Sequence, residues 1–137
     1  MELGALDLVA YLVYLAFFVF GLATAPRDAL SLTALSLSSV CAVLWFVARW
    51  QLGDAFSVGA KARRLVTSGL YSKIRHPIYL FGTLAFLFVV LALLGWYGLV
   101  VWAIVTAIQV RRSLREERLL LETFGQEYVT YRDQTWF

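Results

Sequence analysis

IYLFGTLAFLFVVLALLGWYGLVVWAIVTAI, residues 78–108, runs for 31 residues without a charged side chain. As one α-helix it would extend about 46 Å, well beyond the roughly 30 Å hydrocarbon core of a bilayer. As two helices, each would be slightly short of the roughly 20 residues that a span takes. The flanks decide between the two. Six of the twelve basic residues lie from Arg49 to Arg75, and four lie from Arg111 to Arg118. Basic segments gather on the cytoplasmic side of a membrane, and a single span would separate these two. Two spans keep them together, and Gly95-Trp96-Tyr97-Gly98 supplies a turn with interfacial aromatics. The run is therefore read as a hairpin, with spans at about residues 78–94 and 96–110.

Upstream, residues 8–25 form an uncharged stretch of 18 residues, closed by Pro26-Arg27-Asp28. Residues 29–48 form a second stretch of 20, closed by Arg49-Trp50. Both read as spans. Counting back from the basic segments places both termini in the cytoplasm. The expectation is an all-α integral membrane protein, a single domain over residues 1–137 with four transmembrane helices. Residues 49–77 and 111–135 form its cytoplasmic segments, the latter a helical extension of the last span. The first apolar run should be retained in the mature protein, because Glu2 and Asp7 stand where a signal peptide has basic residues.

Composition agrees. The chain is 61% hydrophobic with a net charge of +3, and its mean hydropathy is +0.75. A soluble domain of this length has too little interior for so much apolar surface, so lipid must cover part of it. In so apolar a chain the basic balance points to membrane orientation and membrane lipids, not to nucleic acid. Oligomeric state is not legible. The single cysteine, Cys41, reads as a small packing residue in the second span.

Two polar stretches carry the candidate chemistry. In Gly69-Leu70-Tyr71-Ser72-Lys73-Ile74-Arg75-His76-Pro77-Ile78-Tyr79, proline suits the first turn of a helix, whose free N–H groups can meet a polar or anionic ligand group. The plainer reading of Arg75-His76 is a surface anchor beside a span. His76 is the only histidine, so a multi-histidine metal site is impossible and no metal is expected. The second stretch is Arg111-Arg112-Ser113-Leu114-Arg115-Glu116-Glu117-Arg118. Arg111, Arg115, Arg118 and Glu122 fall on one stripe of a helix that Gly125 should end, and a last short helix holds Tyr128 and Tyr131. Glu116 and Glu117 face different sides of the helix, and Arg112 lies four residues from Glu116. The plainer reading here is a solvated charged helix. What favours function in both is the hairpin, which brings the two stretches to one rim of the bundle, as a cofactor site requires.

Four segments, in order, resemble the isoprenylcysteine carboxyl methyltransferase family. They are Leu65-Val66-Thr67-Ser68-Gly69-Leu70-Tyr71, Arg75-His76-Pro77-Ile78-Tyr79, Glu116-Glu117-Arg118-Leu119-Leu120 and Phe124-Gly125-Gln126-Glu127-Tyr128. The related phospholipid N-methyltransferases share the paired glutamates. The resemblance covers about residues 49–135 and implies S-adenosylmethionine as methyl donor, bound without a Rossmann glycine loop. It also implies cofactor contacts from Leu65, Val66 and Tyr71, from the His76, Pro77, Ile78 and Tyr79 stretch, and from Glu116. Arg112 matches the family arginine that orients the acceptor. Three features differ from the pattern: Arg63 and Arg64 stand where a histidine is common, Gly82 is three residues after Tyr79 instead of two, and the sequence ends at Phe137 without the usual proline-containing tail.

The implied acceptor is a lipophilic small molecule or lipid. A carboxylate acceptor is already ionised and needs only an arginine such as Arg112 to hold it. An amine must first be neutral, and Glu117 or Tyr79 can assist. A non-catalytic membrane scaffold with a lipid-binding basic rim is the rival from another class. Reductase chemistry of the sterol reductase type suits longer chains with more spans.

Overall fold

The computed structural model describes residues 5–53 and 64–136, with side chains from residue 12 onward. Among these residues every regular element is helical: α1 (Ala5–Thr24), α2 (Ala29–Leu52), α3 (Pro77–Leu94), α4 (Gly98–Phe124) and α5 (Gln126–Asp133). One 3₁₀ turn, Gly69–Ser72, precedes α3, and another, Gly95–Tyr97, joins α3 to α4. Arg63 and most of the segment between α2 and that first turn lie outside the described residues.

The helix boundaries follow local chemistry. Asp28 caps α2, its Oδ1 accepting the Ser31 N–H at 2.7 Å. α2 runs past the predicted residue 48 to Leu52, so Arg49 and Trp50 lie in the helix and not beyond it. α4 continues without a break from its apolar half through the charged stretch, and Gly125 ends it at φ 52°, its N–H bonding the Leu121 carbonyl.

The long uncharged run turns back on itself as expected. The Trp102 indole N–H donates to the Thr83 carbonyl at 3.0 Å, and at the far end Glu117 meets Arg75 and His76. Near the turn the helices come so close that a Cβ on Gly98 would lie 2.5 Å from the Val90 carbonyl oxygen. Only glycine fits there.

α3 is the centre of the bundle. α2 packs against it antiparallel, with Ala34, Leu35 and Ala92 forming one buried cluster. α4 packs antiparallel on another side, while α1 runs parallel to α3, with Phe17 edge-on to Phe86 and Gly21 beside Leu93. The fully buried Ser38 hydroxyl donates to the Ala85 carbonyl at 2.8 Å, which leaves it to accept from Tyr14 at 3.0 Å. One hydroxyl thus joins three helices where water is scarce. α2 and α4 scarcely touch each other, so a cleft remains between them with α3 as its back wall.

Among the described residues two helical stretches are long and apolar enough to cross a membrane, Ala29–Leu52 and the folded-back run Pro77–Phe124. Large apolar side chains cover the outside, among them Leu30 at 77% exposed and Phe46 at 65%. Water does not tolerate so broad an apolar surface, and lipid does.

Candidate functional site

The cleft between α2 and α4 holds a cavity of about 450 Å³. Three of the bundle helices each give it one stripe: Ala42, Trp45, Phe46 and Arg49 from α2; Ile78, Tyr79, Gly82 and Phe86 from α3; Val105, Gln109, Arg112 and Glu116 from α4. These spacings of three and four residues are those of one helical face. Val13 and Tyr14 of α1 complete the apolar end. The cavity is therefore graded, hydrocarbon-lined at one end and lined by Arg49, Tyr71, His76, Arg112 and Glu116 at the other.

The polar end rests on an ordered frame. Glu117 Oε1 accepts from Arg75 Nη1 at 3.2 Å and lies 3.1 Å from His76 Nε2. A carboxylate can only accept, so His76 Nε2 carries its hydrogen in this arrangement. Arg75 and His76, only 20% and 16% exposed in their side chains, are thus engaged inside the hairpin and are not solvated anchors. His76 also packs edge-on to Tyr79, with ring centroids 5.8 Å apart.

α5 straps the loop before α3 in place. The Tyr131 hydroxyl donates to the Tyr71 carbonyl at 2.7 Å, and the Trp136 N–H to the Lys73 carbonyl at 2.9 Å. Tyr128 is buried behind them. On the other side Gln51 Oε1 accepts the Leu70 N–H at 2.8 Å, which ties the loop to the end of α2.

Glu116 differs from its neighbour. Burial raises its carboxyl pKa above the usual range; the His76 ring, a hydrogen bond from Tyr79 and the Arg112 guanidinium pull it back in part. Arg112 makes no direct ion pair with it among the described residues. One carboxyl oxygen, Oε2, is buried without a hydrogen-bond partner among the described residues. A buried acceptor left open is costly, and a donor or a cation at that point removes the cost.

The residues singled out in the sequence divide by position. Tyr71, His76, Ile78, Tyr79, Arg112 and Glu116 line the cavity. Val66 does not; it is buried with Ala48 and Tyr71 beneath the loop. Leu65 is half-buried outside the cavity wall, and Pro77 is fully buried as the first residue of α3. Glu117 serves the frame. The outer stripe of Arg111, Arg115, Arg118 and Glu122 is exposed, as the helical spacing predicts.

Arg49, Trp45 and Gln109 line the cavity without having been singled out. Arg49 reads in sequence as a span-end anchor, yet its Nη1 turns back to the Gly53 carbonyl at 3.2 Å and its side chain borders the cavity. For Gln109 a signal existed, since it falls on the stripe that ends in Arg112 and Glu116.

Compared with known protein families, residues 28–127 match the phospholipid methyltransferases. The chain belongs to the phospholipid methyltransferase family. Membership makes it a membrane methyltransferase, and it agrees with the graded cavity and the apolar exterior. The isoprenylcysteine carboxyl methyltransferases, which four sequence segments resemble, are related to this phospholipid methyltransferase family. Neither a curated protein nor a solved structure matches the chain.

Proposed function

We propose that the protein transfers a methyl group from S-adenosylmethionine to a lipophilic acceptor within the α2–α4 cleft. The observation that carries this reading is the graded cavity, with the open buried oxygen of Glu116 at its polar end. Four spans with both termini in the cytoplasm suit it: the helices alternate in direction, and the polar end then faces the compartment of a soluble donor. The bundle's hydrocarbon-lined end faces the acceptor's tail.

The residues fit the donor. A cavity of about 450 Å³ lies in the range that encloses compact ligands. Glu116 would hold the donor's cationic amino end, with Tyr71, His76, Ile78 and Tyr79 around it, and Leu65, Val66 and Pro77 would support that wall from behind. Bound there, S-adenosylmethionine supplies an electrophilic methyl on a positive sulfur. The protein's part is then to hold the acceptor in line and to keep water out.

Arg112 orients an anionic acceptor head, a carboxylate of the isoprenylcysteine type or a similar lipophile. Arg49 and Arg112 both border the cavity without a carboxylate partner among the described residues, and this supply of positive charge favours that head. A carboxylate attacks with its own lone pair, and no proton moves. The second reading is a phospholipid amine, favoured by the family that the chain matches. A neutral amine would lose a proton after the transfer, with Tyr79 of the cavity wall or Glu117 of the frame to relay it. Incubating purified protein with methyl-labelled S-adenosylmethionine and host membrane lipids, then weighing the labelled products, tests both. A methyl ester supports the first reading, a methylated amine headgroup the second, and no labelled lipid contradicts both.

A further inference from the structure

Gln109 is a polar side chain inside the membrane-spanning half of α4, and it faces the cavity. Its amide makes no hydrogen bond among the described residues, although it can donate two and accept two. A residue with that capacity, one turn from Val105 in the cavity wall and without a partner among the described residues, is poorly suited to a purely apolar tail. It lies one turn below Arg112, about 4.5 Å deeper along the helix axis, and two turns below Glu116.

We infer that Gln109 reads a second, uncharged polar group on the acceptor, set a few bonds from the methyl-accepting head on the way to the tail. The acceptor class is then an amphiphile with an amide, ester or hydroxyl close behind its head, and a plain single-headed fatty chain is a poor fit. The glutamine amide is itself uncharged, so it offers hydrogen bonds to a neutral group and no counter-charge to an ion. Glutamine offers both a donor and an acceptor, which suits an amide best. The inference rests on the proposed reading that the acceptor head lies at Arg112.

Matched probes test it. N-decanoylglycine and dodecanoate share a carboxylate and a similar length, and only the first has an amide behind its head. N-decanoylethylenediamine and dodecylamine form the corresponding amine pair. Binding to the full-length protein in neutral detergent is measured for each, with S-adenosylmethionine affinity followed separately. The wild type should prefer the amide-bearing member of whichever pair binds by about fivefold, the size of one net hydrogen bond. Gln109→Met keeps the side chain's length without the amide and should erase that preference while leaving S-adenosylmethionine affinity unchanged. Gln109→Asn, one methylene shorter, should keep a reduced preference. An equal preference in wild type and Gln109→Met, or no binding of any probe, overturns the inference. Failure of S-adenosylmethionine binding in the wild type instead overturns the methyltransferase reading beneath it.

Discussion

Glu117 Oε1 lies 3.1 Å from His76 Nε2 across the α3–α4 hairpin, two residues 41 positions apart joined at the foot of the site. The same oxygen takes Arg75 at 3.2 Å. Its neighbour Glu116 points into the cavity instead, so adjacent glutamates divide between building the frame and facing the ligand.

Glu117→Ala should therefore destabilise the hairpin by about 1–2 kcal/mol, less than a fully buried pair because each partner keeps some solvent. Glu117→Gln should cost less, since its amide oxygen still accepts. Thermal unfolding in detergent measures both. A cost for Glu117→Ala equal to that of an exposed acidic residue such as Glu122 would remove Glu117 from the frame.

Burial raises the Glu116 pKa, and the sign of the pH effect follows. The folded carboxyl holds its proton more tightly than the unfolded one. Its contribution to stability is thus unfavourable to ionisation and declines as pH rises from the usual carboxylate range through the raised value. A cationic ligand favours the ionised form. Affinity for S-adenosylmethionine should climb over that same interval and then level off. Glu116→Gln should flatten the climb. A wild-type affinity that is level across the interval would separate Glu116 from the cation.

Gly82 makes room for Trp45. A Cβ there would stand 3.2 Å from Trp45 Cδ1 and 3.3 Å from its Nε1, so Gly82→Ala shifts the indole slightly and Gly82→Leu drives it into the cavity. The leucine variant should raise the KM for the acceptor by about tenfold and leave the donor's affinity nearly unchanged. Equal damage to both affinities would show a general collapse of the cleft.

Tyr131→Phe removes the hydroxyl that holds the Tyr71 carbonyl. It should cost about 1 kcal/mol of stability, the net worth of one hydrogen bond with its buried acceptor left open. The Tyr131 pKa is pushed up to about 12, chiefly by burial, so this bond should survive to strongly alkaline pH. Unchanged unfolding temperatures in the phenylalanine variant would show that α5 is no strap.

Much of this was legible in the sequence, and for physical reasons. An uncharged run too long for one span, with basic segments at both ends, forces the turn at Gly95–Tyr97. Gly125 could be placed as the end of α4 because a left-handed residue is needed there. The facing of Glu116 and Glu117 followed from the helical period alone. What periodicity does not carry is which side of a helix meets a neighbour across a gap. Arg49 therefore read as an anchor, and Trp45 went unremarked. Trp45 and Gly82 belong to different helices, and no local pattern couples them.

The central claim is that Glu116 marks the donor's place at the polar end of the cleft. A calorimetric titration of S-adenosylmethionine into the purified protein in lipid nanodiscs tests it directly, beside Glu116→Gln. Saturable binding to the wild type is predicted, weakened about tenfold or more in the variant, as loss of one charge-assisted contact requires, with unfolding temperature preserved. No saturable binding to the wild type, or equal binding to the variant, would contradict the account.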